Sequence, residues 1–203
     1  MKFDLRLLRP AVLVIDMQAS FIAADGPFRN TGMGPVVDAL NAFLAACRGH
    51  QLPILFCNYM MRADGADAGL LRGQPYLEHM LEHSPTIGVD PRIYRHPSDH
   101  ELRRPRPSAF FNTDLEAWLK QQDCNALILT GVSVNNAISA TARDAFARDL
   151  PAIVVCDCVA AAPFEPPELA AAYLQILDTW TAEVTDSADV LRRLGIGRES
   201  QAE

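Results

Sequence analysis

Four short runs of consecutive apolar, largely β-branched residues limit what this chain can fold into. They are Ala11–Asp16 (AVLVID), Pro53–Asn58 (PILFCN), Ala126–Gly131 (ALILTG) and Ala152–Asp157 (AIVVCD). A strand with one wet face alternates apolar and polar positions. A run without alternation is covered on both faces, as in a parallel sheet between helices. Helical patterns lie between the runs. Pro35–Cys47 places Val36, Leu40, Phe43 and Leu44 on one stripe, and Asp114–Gln122 groups Leu115, Trp118 and Leu119. Asn136–Arg148, Pro167–Trp180 and Ser187–Leu194 read as three more. Asn112 or Thr113 is expected to cap the second helix, with Glu116 completing a capping box at the Thr spacing. The alternation predicts an α/β fold: a doubly wound, mostly parallel sheet with helices on both faces. No repeat or linker divides the 203 residues, so one domain over 1–203 is expected.

The segment Arg62–Arg106 breaks the rhythm. It has weak periodicity, many charges and four of the five histidines. So long an excursion is expected to fold over the active-site edge, with a short strand at Leu102–Arg104. The polar tail Gly197–Glu203 is expected to fray. A net charge of −7 argues against nucleic-acid and anionic-membrane partners. No apolar stretch approaches the roughly 18 residues of a membrane helix, and the charged N-terminal run does not read as a signal peptide. Five cysteines, none in a CxxC pair, lie mostly in apolar runs and fit a reduced cytoplasmic protein.

In an open α/β sheet, ligands bind beyond the carboxyl ends of the strands. Asp16 ends the first run and is followed by Gln18 and Phe21; Asn58 and Tyr59 end the second. Gly131-Val132-Ser133-Val134-Asn135-Asn136 follows the third run and opens a helix, where free backbone N–H groups can cradle an anion or oxyanion. By position alone Asp16 reads equally well as a turn cap, and Asn135 or Asn136 as a helix cap. His79/His83 and His96/His100 are spaced four apart, as zinc ligands on a helix can be. Neither pair has the Glu of an HExxH motif, and Pro97 interrupts the second. No metal and no cofactor are expected.

Four segments together resemble the isochorismatase-like (cysteine hydrolase) superfamily. They are Asp16-Met17-Gln18 with Phe21; RPRPSAFFNTDLEAWL at Arg104–Leu119; LILTGVSVNNAISATARDAFARD at Leu127–Asp149; and VVCDCVAA at Val154–Ala161. They fall in the family's order and spacing from Ala11 to about Leu194. The resemblance implies a six-stranded, Rossmann-like three-layer sandwich and a homo-oligomer, dimer or tetramer. It also marks the Val132–Ser133 bond as a place where the family often has a cis peptide. The family's usual apparatus is an Asp–Lys–Cys triad. Its Asp falls on Asp16, its Lys on Arg104 and its Cys on Ala137; Val134 stands where Thr is common.

Thiolate chemistry needs sulfur at the helix start, and Ala137 has none. True isochorismatases share that lack; they use the Asp to protonate a vinyl ether, and water completes hydrolysis. The resemblance therefore implies a hydrolase of a small, carboxylate-bearing molecule. Asp16 is its general acid/base and Arg104 its anion-stabilising group, while Gln18, Phe21, Asn58, Tyr59, Ser133, Val134 and Asn136 line the substrate. Arg62, Arg72 and Arg106 are further carboxylate candidates. Two alternatives stay open: a silent family member that binds without turnover, and an amidase with a substitute nucleophile such as Ser133 or Ser139.

Overall fold

The computed structural model describes residues 2–28, 30–162 and 165–196; the expected frayed tail lies outside them. Strands β1 (Pro10–Ile15), β2 (Ile54–Tyr59), β3 (His100–Arg104), β4 (Ala126–Val132), β5 (Ala152–Ala160) and β6 (Glu183–Thr185) build a six-stranded sheet ordered β3-β2-β1-β4-β5-β6. Every neighbouring pair is parallel. β1, β2 and β4 are buried at every position, as their unbroken apolarity requires.

Six α-helices are described: α1 (Ala19–Ile22), α2 (Gly34–Gly49), α3 (Leu115–Gln121), α4 (Ser139–Phe146), α5 (Pro167–Trp180) and α6 (Ser187–Arg193). They cover both faces of the sheet. On one, Leu115, Trp118 and Leu119 of α3, Ala142 and Ala145 of α4 and Leu177 of α5 pack with Leu13, Ile15, Leu55 and Leu129. On the other, Leu40, Phe43 and Leu44 of α2 and Val190 of α6 pack with Val12, Val14, Phe56 and Ile153. Each of the larger side chains contributes roughly 1.5–3 kcal/mol by leaving water, so the two layers together hold the sheet.

Three local readings shift. α3 begins one residue later than expected, at Leu115, with no side-chain cap from Asp114; the Thr113 hydroxyl accepts from the Leu115 N–H at 3.4 Å and donates to Ala109 O at 2.5 Å. The helix expected from Asn136 starts as a π-helical turn, Val134–Ile138, before α4. β5 runs on to Ala160 because its pairing with β4 shifts register between Leu129 and Gly131. There the exposed Asp157 side chain accepts from the Ser187 N–H and hydroxyl at the start of α6.

The strand order reverses between β1 and β4, leaving a crevice at their carboxyl ends. Gly131 permits the approach there. It has φ 103°, and a Cβ on it would lie 1.9 Å from Ile15 O, so no other residue fits. The excursion after β2 returns to this end. Its own small core of Met61, Ala68, Leu77, Met80 and Leu81 packs with Tyr59, and Phe21, Phe28 and Leu71 lean on it.

Candidate active site

A cavity of about 460 Å³ opens at the switch point. Asp16 enters it from the end of β1 and Tyr59 from the end of β2; Val132, Ser133 and Asn136 come from the end of β4 and the π-helical turn. Phe21, Phe28 and Asn30 follow from α1 and the loop after it, Leu71, Tyr76 and Met80 from the excursion, and Ala161 and Ala162 from beyond β5. Phe28, Asn30, Leu71, Tyr76, Met80, Ala161 and Ala162 are not evident from motifs. The usable signal in the excursion is an apolar island, Tyr76-Leu77 with Met80-Leu81, inside a charged segment. The peptide between Val132 and Ser133 is cis.

Asp16 has φ 46° and is 5% exposed. Its Oδ1 accepts from the Tyr59 N–H at 2.9 Å and its Oδ2 from Arg104 Nη2 at 2.5 Å. Burial drives its pKa up to about 6; the Arg104 charge, the hydrogen bond from Arg104 and that from Tyr59 pull the other way. Arg104 is wholly buried. Burial works to lower its pKa, but Asp16 and Cys57 together outweigh that and the guanidinium stays charged. Its Nη1 donates to Arg106 O, and its Cζ sits 5.0 Å from the centroid of the Tyr59 ring.

Of the residues expected at the site, Asp16, Phe21, Tyr59, Ser133 and Asn136 face the cavity and the others do not. Gln18 braces the Asp16 loop: its Oε1 accepts from the Tyr59 N–H at 2.8 Å and its Nε2 donates to Ile87 O at 2.6 Å. Asn58 Nδ2 donates to Glu101 at 2.6 Å, at the sheet edge. Val134 and Ala137 (1% exposed) pack into the apolar layer with Ile138 and Ala142. Arg104 lies behind Asp16 rather than on the wall, so its charge reaches the cavity through that carboxyl.

The other arginines are engaged elsewhere. Arg62 pairs with Asp64 at 3.1 Å, Arg72 donates to Gly65 O at 2.9 Å and Arg106 to Asp67 O at 2.8 Å. All five cysteines are free thiols, and burial pushes each upward, Cys47 and Cys57 to about 12. None lines the cavity. Ser133 does; Ser139 accepts from Arg143 Nε at 3.3 Å. The histidines are dispersed. His79 meets the Phe28 ring edge, His83 lies 3.6 Å from Glu78, His96 bonds Ser98 and His100 stacks on Trp118. Among the described residues, no three His, Cys, Asp or Glu side chains are grouped to hold a metal ion. No helix described is long and apolar enough to cross a membrane.

Residues 10–189 match a family model described as the Isochorismatase domain. The ureidoacrylate amidohydrolase RutB of Methylorubrum extorquens is 25% identical over 198 residues, 87% of this chain and 79% of that protein. Enterobactin synthase component B of Escherichia coli is 30% identical over 154 residues, 75% of this chain and 53% of that one. Among solved structures, a cysteine hydrolase from Pseudomonas syringae pv. phaseolicola superposes with a TM-score of 0.87 at 26% identity, over 96% of each chain.

Proposed function

The chain belongs to the isochorismatase family of hydrolases, and we propose that it hydrolyses a small molecule with Asp16 as general acid and no cysteine nucleophile. One observation carries this reading. Asp16 is the sole carboxyl on the described wall of the cavity, and burial holds its pKa near 6, while Ala137, on which the motif resemblance puts the family Cys, is packed in the core.

A group titrating near 6 is about one-tenth protonated at neutral pH, enough to donate a proton and to recover it within a catalytic cycle. The Asp16 proton passes to an electron-rich carbon or leaving atom of the substrate, and the substrate becomes electrophilic. Water adds to the electrophilic centre and its proton returns to the carboxylate, so the acid is regenerated. Arg104 stabilises the carboxylate formed in between, and Gln18 and the Tyr59 N–H fix the carboxyl's direction. Ser133 and Asn136 line the cavity, and in this reading they orient the substrate. Arg104 donates no proton itself, because its guanidinium stays charged.

The match to the Isochorismatase domain and the relative named as an amidohydrolase bracket the bond cleaved. A family member that binds without turnover is the second reading; the same Ala137 favours it. An amidase using Ser133 lacks a base, since no His lies on the described wall. The test is Asp16→Asn, which keeps the shape and the Tyr59 contact but cannot act as an acid. It is expected to lower kcat by about 10²–10⁴-fold with ligand binding retained. Undiminished turnover in this variant refutes the role.

A further inference from the structure

We propose that the ligand of this cavity is an uncharged molecule with a flat, conjugated portion that lies against the rings of Phe21, Phe28 and Tyr59. The inference rests on the reading of Asp16 as the acid that faces the substrate, and it departs from the carboxylate-bearing substrate implied by the motifs.

The rings are already arrayed for such a guest. Phe21 and Phe28 stack with centroids 5.4 Å apart and planes 2° from parallel, and Phe21 and Tyr59 stack at 6.5 Å and 19°. All three line the cavity, with the Tyr76 ring at its rim. Stacked rings present flat faces, and a flat guest extends the stack at little cost in side-chain order. Residues from the β4 and β5 ends, Ser133 and Ala162 among them, are small and leave the guest room.

The charge of the walls points the same way. Their polar groups are Asp16, Asn30, Ser133, Asn136 and the Tyr hydroxyls, and no Lys, Arg or His lines the cavity among the described residues. The guanidinium behind Asp16, that of Arg104, has no exposed surface; its Nη1 and Nη2 donate to Arg106 O and Asp16, and its Nε has no hydrogen-bond partner among the described residues. An anion entering here sheds water against ring faces and beside a carboxyl, with no cationic side chain on the described wall to repay it. An amide or ether head group loses far less and finds hydrogen-bond partners in Asn30, Ser133 and Asn136.

The experiment is calorimetric titration of the whole protein with benzamide, benzoate and acetamide: ring with neutral head, ring with charged head, and head without ring. Benzamide is expected to bind at least about tenfold more tightly than either of the others, and Phe21→Ala to weaken it by about tenfold. Tyr76→Ala, at the half-exposed rim, is the second variant if Phe21→Ala does not fold. Benzoate binding as tightly as benzamide overturns the proposal. Equal binding of acetamide, or no binding of any probe at millimolar concentration, overturns it too. Repeating the titrations in Asp16→Asn separates the two claims: ligand class is read from binding alone, and the acid role from turnover of the wild type.

Discussion

Arg104 donates from Nη2 to Asp16 Oδ2 at 2.5 Å from a position with no solvent exposure. Burial alone would drive the Asp16 carboxyl neutral, and Arg104 is what keeps it able to ionise. A buried pair of this kind adds little net stability, because both charges are desolvated. Removing one partner is costly, since the other is stranded.

Arg104→Met therefore destabilises the fold, and unequally with pH. In the wild type the folded pKa of Asp16, about 6, lies above its ordinary value. This group's contribution to stability is full below the ordinary value and is lost as pH rises through about 6. Without Arg104 the folded pKa rises further and the loss extends to higher pH. Urea unfolding is expected to show a deficit of about 3–5 kcal/mol at pH 8 and a smaller one at pH 5. Equal deficits at both would mean that Asp16 is not what Arg104 serves.

Ala137→Cys is expected to restore no thiol chemistry. The side chain at 137 is buried among Val134, Ile138 and Ala142, where burial raises a thiol's pKa. Titration of native protein with a disulfide reagent should count the same number of fast-reacting thiols in variant and wild type. The overpacking costs about 1–3 kcal/mol. An additional reactive thiol would place position 137 at the cavity.

Gly131→Ala tests the switch point. Its positive φ and the 1.9 Å approach of a Cβ to Ile15 O predict a loss above about 4 kcal/mol, or no soluble protein. A thermal midpoint near that of the wild type would show that β1 and β4 can separate without harm.

Arg106 ties the excursion to the end of β3. It donates to Asp67 O at 2.8 Å, and its Nη2 lies where a Cβ on Gly69 would sit. Arg106→Ala is expected to speed amide hydrogen exchange around residues 67–71 by about tenfold or more, with the β4 amides unchanged. Uniform acceleration would instead mean global destabilisation.

The sheet was legible in the sequence because its central strands are buried on both faces, so β1, β2, β4 and β5 stand out as unbroken apolar runs. β3 and β6 do not. In β3 only Leu102 and Arg104 are buried, as suits an edge strand, and β6 spans three residues. α5 was bounded at both ends, by a proline that suits a first helical turn and by Trp180. The start of α4 was not, since a π-helical turn has no apolar signature of its own. Strand-end residues Asp16, Tyr59 and Ser133 could be placed by topology. The excursion's share of the wall could not: Met80 reaches the cavity in the cluster around Tyr59, with Leu71 packed against it and Tyr76 on the same wall, contacts that leave no local period. Arg104 was legible as a residue but not in its aspect. Its charge was read as facing substrate, and its burial behind Asp16 comes from the return of β3 beside β2.

The most direct test of Asp16 as the acid is the pH dependence of kcat/KM for a substrate the wild type hydrolyses, from about pH 4.5 to 8.5. Catalysis by the protonated carboxyl predicts a plateau at low pH and a tenfold fall per unit above an apparent pKa of about 6. A rate that climbs with pH into the range of a thiolate or a basic nucleophile contradicts the account.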